Sequence, residues 1–239
     1  MSDKVKILYL AANPRDTSSL RLQEEARDLE ERIRSGPHGQ HFSVVHYLAV
    51  RPRDLLRGLQ EEQPHILHFS GHATHDNEIV FQNEEGTSQP ISSNDLRDLV
   101  EVFPGNLRLV LLVSCFGQKH AEALIQVIDF AIGMNQPLSD KGAVSFSAAF
   151  YQILAGGGSV RQAFDGARVL TSMEGRPVFA SSDFLVKPGA NADLSFIKEL
   201  RQENGDAISP PSNSAITRLK DVTAGDVITT AGGTVNISK

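Results

Sequence analysis

The alternation of short apolar runs with longer helical patterns most constrains the fold of this chain of 239 residues. Residues 107–113 read LRLVLLV, a nearly continuous apolar run that is typical of a central strand covered on both faces. Further strands are predicted over residues 5–12, 42–50, 65–70, 130–134 and 184–186, with a hairpin over 78–91. Helices are predicted over or near residues 20–33, 52–62, 92–103, 120–127, 140–154, 159–171 and 192–202. This order predicts an α/β sandwich with a mostly parallel sheet.

The first predicted helix has an apolar face and a charged face. Its apolar residues recur at roughly helical spacing and are Leu20, Leu22, Ala26, Leu29 and Ile33. On the opposite face, three pairs of unlike charge lie four positions apart: Arg21 with Glu25, Asp28 with Arg32, and Glu30 with Arg34. Because such pairs attract each other along a helix, we expect an exposed, ion-paired surface on this face.

The charge and cysteine content limit the partners and the compartment. With 23 Lys+Arg against 29 Asp+Glu, the net charge is −6, so the basic surface typical of nucleic-acid or anionic-membrane binding is absent. We therefore expect no nucleic acid and no membrane to be contacted directly. The one cysteine, Cys115, cannot form an internal disulfide, and the chain shows no signal-peptide layout and no apolar run near 18 residues. These features favour a cytoplasmic protein.

Two reactive side chains follow predicted strands. His72 comes just after the strand at 65–70, and Cys115 just after the strand at 107–113. In an open α/β sheet, catalytic groups gather at the carboxyl ends of the strands. Neighbouring parallel strands would bring the two side chains within one or two strand spacings of about 4.8 Å. This arrangement predicts a Cys/His dyad, with a thiolate nucleophile, a histidine that moves its proton, and backbone N–H groups that hold an oxyanion.

Two other interpretations of these residues stay open at this point. A lone cysteine beside an apolar strand is usually an inert, buried small hydrophobe. Four histidines, His65, His68, His72 and His75, are spaced three, four and three apart, and imidazole is a common zinc ligand. That spacing brings side chains together on a helix but not on a strand, where they alternate between faces. We therefore expect no metal, and we interpret His68 as a buried, hydrogen-bonded support of the loop that carries His72.

No nucleotide motif accompanies these residues. The GGGS run at residues 156–159 follows a predicted helix and lacks the pattern of a phosphate-binding loop. It is better explained as a helix end and turn. No Gly-x-Gly-x-x-Gly follows the first strand, where the sequence reads AANPRDT. No organic cofactor is therefore expected.

Several motifs together resemble the bacterial CHAT domain, a caspase-like cysteine peptidase module related to separase. They include ILYLAANPRDTSSLRLQEEARDLEERI, HILHFSGHA, LVLLVSCFG and FAIGMNQPLSDKGAVSFSAAFYQILAGGGSV. The resemblance runs from about residue 4 to residue 188 with the blocks in the family's order. It implies a caspase-type αβα sandwich with a mostly parallel central sheet.

The resemblance also implies roles for individual residues. His72 and Cys115 match the family's dyad, and the backbone N–H groups of Cys115 and Ala73 would form the oxyanion hole. The family usually has glycine at the position of Ala73, and alanine tolerates a positive φ poorly, which would alter the oxyanion geometry. Related peptidases often pair an acidic residue with a basic P1 side chain, and Asp140 or Asp76 would supply it here. Asp140 also fits a plain helix N-terminus, where the helix dipole stabilises a carboxylate.

The expected function is that of a caspase-like cysteine endopeptidase acting on a protein substrate. Modules of this kind resemble parts of prokaryotic immune and cell-death systems, including antiviral defence, so we expect an activating sensor or partner in trans. We predict a peptidase domain over residues 1–190, a short helix and linker over 191–214, and a β-prone C-terminal tail over 215–239. The tail is a possible site of strand addition or homo-oligomer formation. The alternative is a catalytically inactive scaffold that recruits partners through this tail.

Overall fold

Strands that follow the predicted order build the sheets of the protein. The computed structural model describes residues 4–74, 76–103, 105–134, 139–180, 183–203, 227–230 and 233–236. The strands are β1 (Val5–Ala11), β2 (Phe42–Leu48), β3 (Ile66–Ser70), β4 (Ile79–Gln82), β5 (Ser88–Ile91), β6 (Leu109–Val113), β7 (Phe130–Gly133), β8 (Phe184–Val186), β9 (Val227–Thr230) and β10 (Gly233–Asn236). The chain divides into two compact units, residues 1–209 and 210–239.

A six-stranded sheet forms the middle of the first unit, in the order β2-β1-β3-β6-β7-β8. Its neighbouring strands are parallel except β8, which runs antiparallel to β7. β6 lies inside the sheet, and each of its five residues is at most 2% exposed. This burial on both faces is what the apolar run at 107–113 predicted.

Helices cover both faces of this sheet. They are α1 (Leu22–Ser35), α2 (Pro52–Glu62), α3 (Ser93–Val102), α4 (Gln118–Leu124), α5 (Asp140–Ala155), α6 (Val160–Met173) and α7 (Phe196–Glu203). Alternate strand residues point to opposite faces, so Leu111 packs in the core under α1, α5, α6 and α7, whereas Leu112 packs under α2, α3 and α4. The α/β sandwich predicted from the sequence is thus confirmed, and α7 shares its core.

A hairpin beside the sheet holds the loop that follows β1. β4 and β5 pair antiparallel, as predicted for residues 78–91. The Arg15 amide donates to the Gly86 carbonyl at 3.0 Å. The Asp16 carboxylate accepts from the Ser88 amide and from the Ser88 hydroxyl, both at 2.9 Å. The loop of residues 12–21 is therefore fastened to the hairpin before α1 begins.

The second unit contains a small hairpin. β9 and β10 pair antiparallel, with Thr230 opposite Gly233, within the tail that the sequence predicts to be β-prone. The predicted linker over residues 204–214 lies outside the described residues. None of the helices in the described ranges is both long and apolar enough to cross a membrane.

Candidate active site

The ends of β3 and β6 carry the two reactive side chains. These strands are adjacent and parallel, and Ser70 pairs with Val113 in their register. His72 and Cys115 each follow by two residues, so they leave the same edge of the sheet side by side. Both side chains line one small pocket of about 40 Å³ that opens to solvent. The structure thus brings together His72 and Cys115, which the sequence analysis selected because each follows a predicted strand.

Four segments of the chain form this pocket. They are the start of α1 with the two residues before it, the end of β3, the end of β6 and the first turn of α5. Aliphatic walls come from Leu20, Leu22, Val113, Ala143 and Val144, and polar groups from Arg21, Glu25, Ser70, His72, Ser114, Cys115 and Asp140. The pocket therefore combines apolar walls with carboxylate, hydroxyl, imidazole and guanidinium groups.

A backbone carbonyl orients the imidazole of His72. Nε2 of this residue lies 2.8 Å from the carbonyl oxygen of Ser18. Because a carbonyl only accepts, Nε2 must carry the proton, and in the neutral ring Nδ1 then holds the lone pair. The backbone of His72 is also held, since its carbonyl accepts from the Val80 amide of β4 at 2.9 Å. The ring is thus fixed in the tautomer that a general base at Nδ1 requires.

The backbone beside Cys115 adopts a conformation that is uncommon for a large residue. Cys115 is half-buried, and Phe116, which follows it, has φ of 57°. This left-handed conformation is costly for a bulky side chain and occurs mainly where the surrounding structure enforces it. On the other side, Ser114 is 1% exposed, and its hydroxyl has no hydrogen-bond partner among the described residues. The sharp turn after β6 therefore presents the thiol at the pocket.

Ala73 sits in an extended segment beside the hairpin. It forms an isolated antiparallel bridge with Ile79, and its φ is not positive. The hydrogen bonds that flank this bridge run from the Thr74 amide to Glu78 and from the Val80 amide to His72, so the bridge does not consume the Ala73 N–H. Alanine in place of the family's glycine is therefore accommodated without the strain that a positive φ would impose.

The two acidic residues suggested for the substrate pocket lie in different places. Asp140 is the first residue of α5 and lines the pocket with His72 and Cys115. Asp76 is exposed in the turn between Ala73 and Ile79 and does not line this pocket.

Of the three ion pairs predicted for α1, Glu30–Arg34 forms at 3.8 Å. Asp28 contacts Arg27 instead of Arg32, and the predicted Arg21–Glu25 pair is wrong. Arg21 contacts Glu24 at 3.0 Å, whereas Glu25 is only 2% exposed and lies among the helix's buried residues. Leu22 and Leu29 are three positions before and four positions after Glu25, so all three occupy one face. The helical periodicity was therefore the sequence signal that placed Glu25 inside, in spite of its charge.

Four polar side chains surround the Glu25 carboxylate. The hydroxyls of Ser70 and Ser147 each donate to it at 2.5 Å, the Tyr9 hydroxyl lies at 3.3 Å and Nε2 of His68 at 3.2 Å. Burial raises the pKa of Glu25, but the bonding and charge of His68, together with the two serine hydroxyls, outweigh it and lower the pKa below its usual value. The carboxylate is therefore ionised at neutral pH.

His68 takes part in this buried cluster. The side chain is fully buried, and Nδ1 lies 3.1 Å from the hydroxyl of Tyr151. The prediction that His68 is buried and hydrogen-bonded is confirmed, and its role as a support of the loop that carries His72 stays a prediction. Within the described residues, no group of three His, Cys, Asp or Glu side chains is arranged to hold a metal ion. His75, one of the four histidines in question, lies outside the described residues.

A sequence profile of the CHAT domain matches residues 5–178. This chain belongs to the CHAT domain family. The match contains both His72 and Cys115 as well as the pocket around them, and it confirms the resemblance seen in the motifs.

Relatives of this CHAT domain are named as proteases. A probable protease of Gillisia limnaea is 28% identical over 153 residues, which are 63% of this chain and 27% of that protein. A Roc-COR-CHAT protease of an unknown prokaryotic organism is 25% identical over 156 residues, 62% of this chain and 15% of that protein. Another from Runella zeae is 23% identical over 155 residues, 63% of this chain and 16% of that protein. This CHAT domain thus spans 15% to 27% of the length of these relatives.

A solved structure has a similar fold. It is a secreted C11 cysteine protease from Bacteroides thetaiotaomicron, in complex with an irreversible peptide inhibitor. The TM-score is 0.53 at 13% sequence identity, over 72% of this chain and 60% of that one. The likeness confirms the caspase-like arrangement of a mostly parallel sheet between helices.

Proposed function

We propose that this CHAT domain is a cysteine endopeptidase in which Cys115 is the nucleophile and His72 the general acid and base. The pocket that both side chains line, at the ends of two adjacent parallel strands, carries this proposal. The bond from His72 Nε2 to Ser18 supports it, because it leaves Nδ1 able to take a proton. The naming of three relatives as proteases is consistent with it.

The reaction follows from these groups. His72 Nδ1 removes the proton of the Cys115 thiol, and the sulfur attacks the carbonyl carbon of the scissile peptide bond. The oxyanion that forms is held by the N–H groups of Cys115 and Ala73. The C–N bond then breaks as His72 returns the proton to the leaving amine, which leaves an acyl-thioester on Cys115. Water, deprotonated by His72, hydrolyses this thioester and regenerates the thiol.

The pocket is proposed to bind the side chain of the P1 residue. Its aliphatic walls, including Leu20, Val113 and Val144, suit the methylene stem of a long side chain. The Asp140 carboxylate in the same pocket would pair with a cationic head group. We therefore propose cleavage after a basic residue, with Asp140 as the specificity determinant.

The decisive experiment is Cys115-dependent cleavage. The wild-type chain and Cys115→Ala are each co-expressed with the proteins encoded beside this chain, and each purified chain is also incubated with a peptide library. A fragment or cleaved peptide that appears only with the wild type supports the peptidase, and Asp140→Asn should then weaken the preference for Arg or Lys at P1. If no protein or peptide is cut in a Cys115-dependent manner, the enzymatic proposal is wrong.

Control of the peptidase is proposed to come from a partner. Roc-COR-CHAT relatives are much longer than this domain, and we propose that a sensor activates the site, in a prokaryotic immune or cell-death response in the cytoplasm. Activation in trans predicts that a partner raises the rate at which an acyl-type thiol probe labels Cys115. An unchanged labelling rate with every protein encoded nearby would contradict it.

The β9–β10 hairpin supports a second candidate function, that of an interaction module. A two-stranded hairpin is at best marginally stable alone, and the sequence from Val227 to Ile237 contains no charged residue. Strand pairing with a partner or a second copy would stabilise it. If recruitment is the function, Cys115→Ala retains the cellular effect, whereas the double substitution Ile228→Lys with Val235→Lys abolishes it. If the protein acts as a peptidase, Cys115→Ala abolishes the effect.

A further inference from the structure

The Glu25 carboxylate joins three of the elements that form the pocket. Glu25 itself belongs to α1, Ser70 ends β3, and Ser147 lies on α5 seven residues beyond Asp140. Each serine donates to a different carboxylate oxygen at 2.5 Å. Because Ser70 and Ser147 lie 45 and 122 residues from Glu25 in sequence, one side chain ties together parts of the chain that no local interaction connects.

The region around α1 is connected to His72 by two separate routes. The first is direct, from the His72 imidazole to the carbonyl of Ser18, four residues before the helix begins. The second runs from Glu25 on the helix to Ser70, which precedes His72 by two residues. One route fixes the ring, and the other fixes the strand end from which the ring projects.

A buried carboxylate is a poor choice for packing alone. Removing the charge from water costs several kcal/mol in general, and apolar residues of similar size often stabilise such positions better. Glu25 sits on the face of α1 that also carries Leu22, Leu29 and Ile33, where a leucine would fit the pattern. Its partners are hydroxyls and an imidazole from three other elements, β1, β3 and α5. These contacts hold α1, β1, β3 and α5 in place beside the pocket, which an aliphatic side chain would not do.

We propose that Glu25 is a positioning residue of the active site. Through Ser70 it sets the position of His72 relative to Cys115, and through Ser147 it sets α5, which carries Asp140 into the pocket. This inference rests on the proposed dyad of His72 and Cys115. Glu25 is not assigned a direct role in the reaction, because its oxygens already accept hydrogen bonds from Ser70 and Ser147.

The test measures alkylation of Cys115 by iodoacetamide across a range of pH, which needs no known substrate. The variants are Glu25→Gln, Ser70→Ala and Ser147→Ala, with His72→Asn as the reference for loss of the dyad. Glu31→Gln, an exposed residue of the same helix, is the matched control. Thermal unfolding of each variant establishes that it is folded at the assay temperature.

Unequal effects of the two serine substitutions are the signature of positioning. Because a misplacement of about 1 Å can cost on the order of 100-fold, we expect Glu25→Gln and Ser70→Ala to slow alkylation by about tenfold or more and to move its pH profile toward that of His72→Asn. Ser147→Ala should slow alkylation less and, once a substrate is known, raise its KM more than it lowers kcat. Glu31→Gln should match the wild type.

Each remaining outcome has a definite meaning. If folded Glu25→Gln and Ser70→Ala show the wild-type profile while His72→Asn is slow, the positioning role is wrong and the dyad stands. If Ser70→Ala and Ser147→Ala slow alkylation equally, the substitutions loosen the packing around Glu25 in general, and the positioning role of Glu25 is also wrong. If His72→Asn itself reacts like the wild type, the proposed function fails. Should Glu25→Gln not fold, the comparison of the two serine variants decides.

Discussion

His72 donates a hydrogen bond from Nε2 to the backbone carbonyl of Ser18 at 2.8 Å. In the neutral ring, this bond places the proton on Nε2 and leaves a lone pair on Nδ1. A backbone carbonyl takes the place that a carboxylate has in many triads, so the orienting group carries no charge and does not titrate. The loop that carries Ser18 is therefore as much part of the candidate site as the two strand ends.

Replacement of His72 should separate orientation from proton transfer. In His72→Gln the side-chain amide can still donate to Ser18, but it cannot act as a base. We therefore expect Cys115-dependent turnover to fall by about 10²- to 10⁴-fold, with the melting temperature close to that of the wild type. Peptide cleavage and thermal unfolding measure the two quantities. A His72→Gln enzyme with wild-type turnover would exclude His72 as the acid–base group.

Loss of the Asp16 clamp should slow the reaction from a distance. The Asp16 carboxylate holds Ser88 of the β4–β5 hairpin, and Ser18 follows two residues later. Asp16→Ala releases this loop, and we expect alkylation of Cys115 to slow by several-fold because His72 loses a fixed acceptor. Ser88→Ala keeps the backbone N–H bonds to Asp16 and should lie closer to the wild type. Equal rates for all three chains would show that the clamp does not reach the site.

The same clamp has a predicted pH dependence. Burial raises the pKa of Asp16, but the N–H and hydroxyl of Ser88 outweigh it and lower the pKa below its usual value. A lowered folded-state pKa means that the clamp is fully present above the unfolded value of about 4 and weakens as pH falls through the folded value. The difference in the free energy of unfolding between Asp16→Ala and the wild type should therefore disappear in strongly acidic solution.

The left-handed backbone at Phe116 gives a prediction about the turn that carries Cys115. Glycine and asparagine adopt φ near 57° easily, whereas a β-branched residue does so at a cost of order 1–3 kcal/mol. Phe116→Gly should therefore preserve the alkylation rate of Cys115, and Phe116→Val should reduce both this rate and the melting temperature. The two variants remove the same aromatic ring, so the comparison isolates the backbone. Similar rates for both would mean that this φ does not control the thiol.

Much of the fold could be predicted because local patterns determine its elements. The apolar run at 107–113 predicted a central strand, and β6 occupies it. The hairpin at 78–91 and the helix over Pro52–Glu62 also appear where turn residues and periodicity placed them. The strand-end rule then put His72 and Cys115 at one edge of the sheet, since the carboxyl ends of parallel strands meet there.

The parts of the site that were missed depend on contacts between distant segments. The Ser18 carbonyl belongs to the main chain and leaves no trace in the sequence. Glu25 was assigned to the exposed face because its charge and its spacing from Arg21 suggested an ion pair, although the buried stripe of α1 passes through it. Nothing local indicates that Ser147, 122 residues away, donates to its carboxylate. The prediction gave more weight to the charge of Glu25 than to its helical spacing. In the structure Glu25 is buried, because hydrogen-bond partners surround its carboxylate.

A buried histidine on the other side of the sheet predicts how stability depends on pH. His120 is fully buried; Nε2 bonds to the Ile91 carbonyl at 3.0 Å, and Nδ1 has no hydrogen-bond partner in the described part of the chain. Burial lowers the pKa of His120, and the bond to Ile91 offsets this only in part. Between this lowered value and the unfolded value of about 6.5, the unfolded chain binds more protons, so stability falls as pH falls.

The measurement is the free energy of unfolding in urea between pH 7.5 and pH 5. One such histidine contributes a slope of at most about 1.4 kcal/mol per pH unit. His120→Gln can still donate to Ile91 but does not titrate, so it should lose this slope at acidic pH. His38, whose pKa burial also lowers, retains its own contribution in the variant. If His120→Gln and the wild type lose stability equally on acidification, His120 is not the group that titrates.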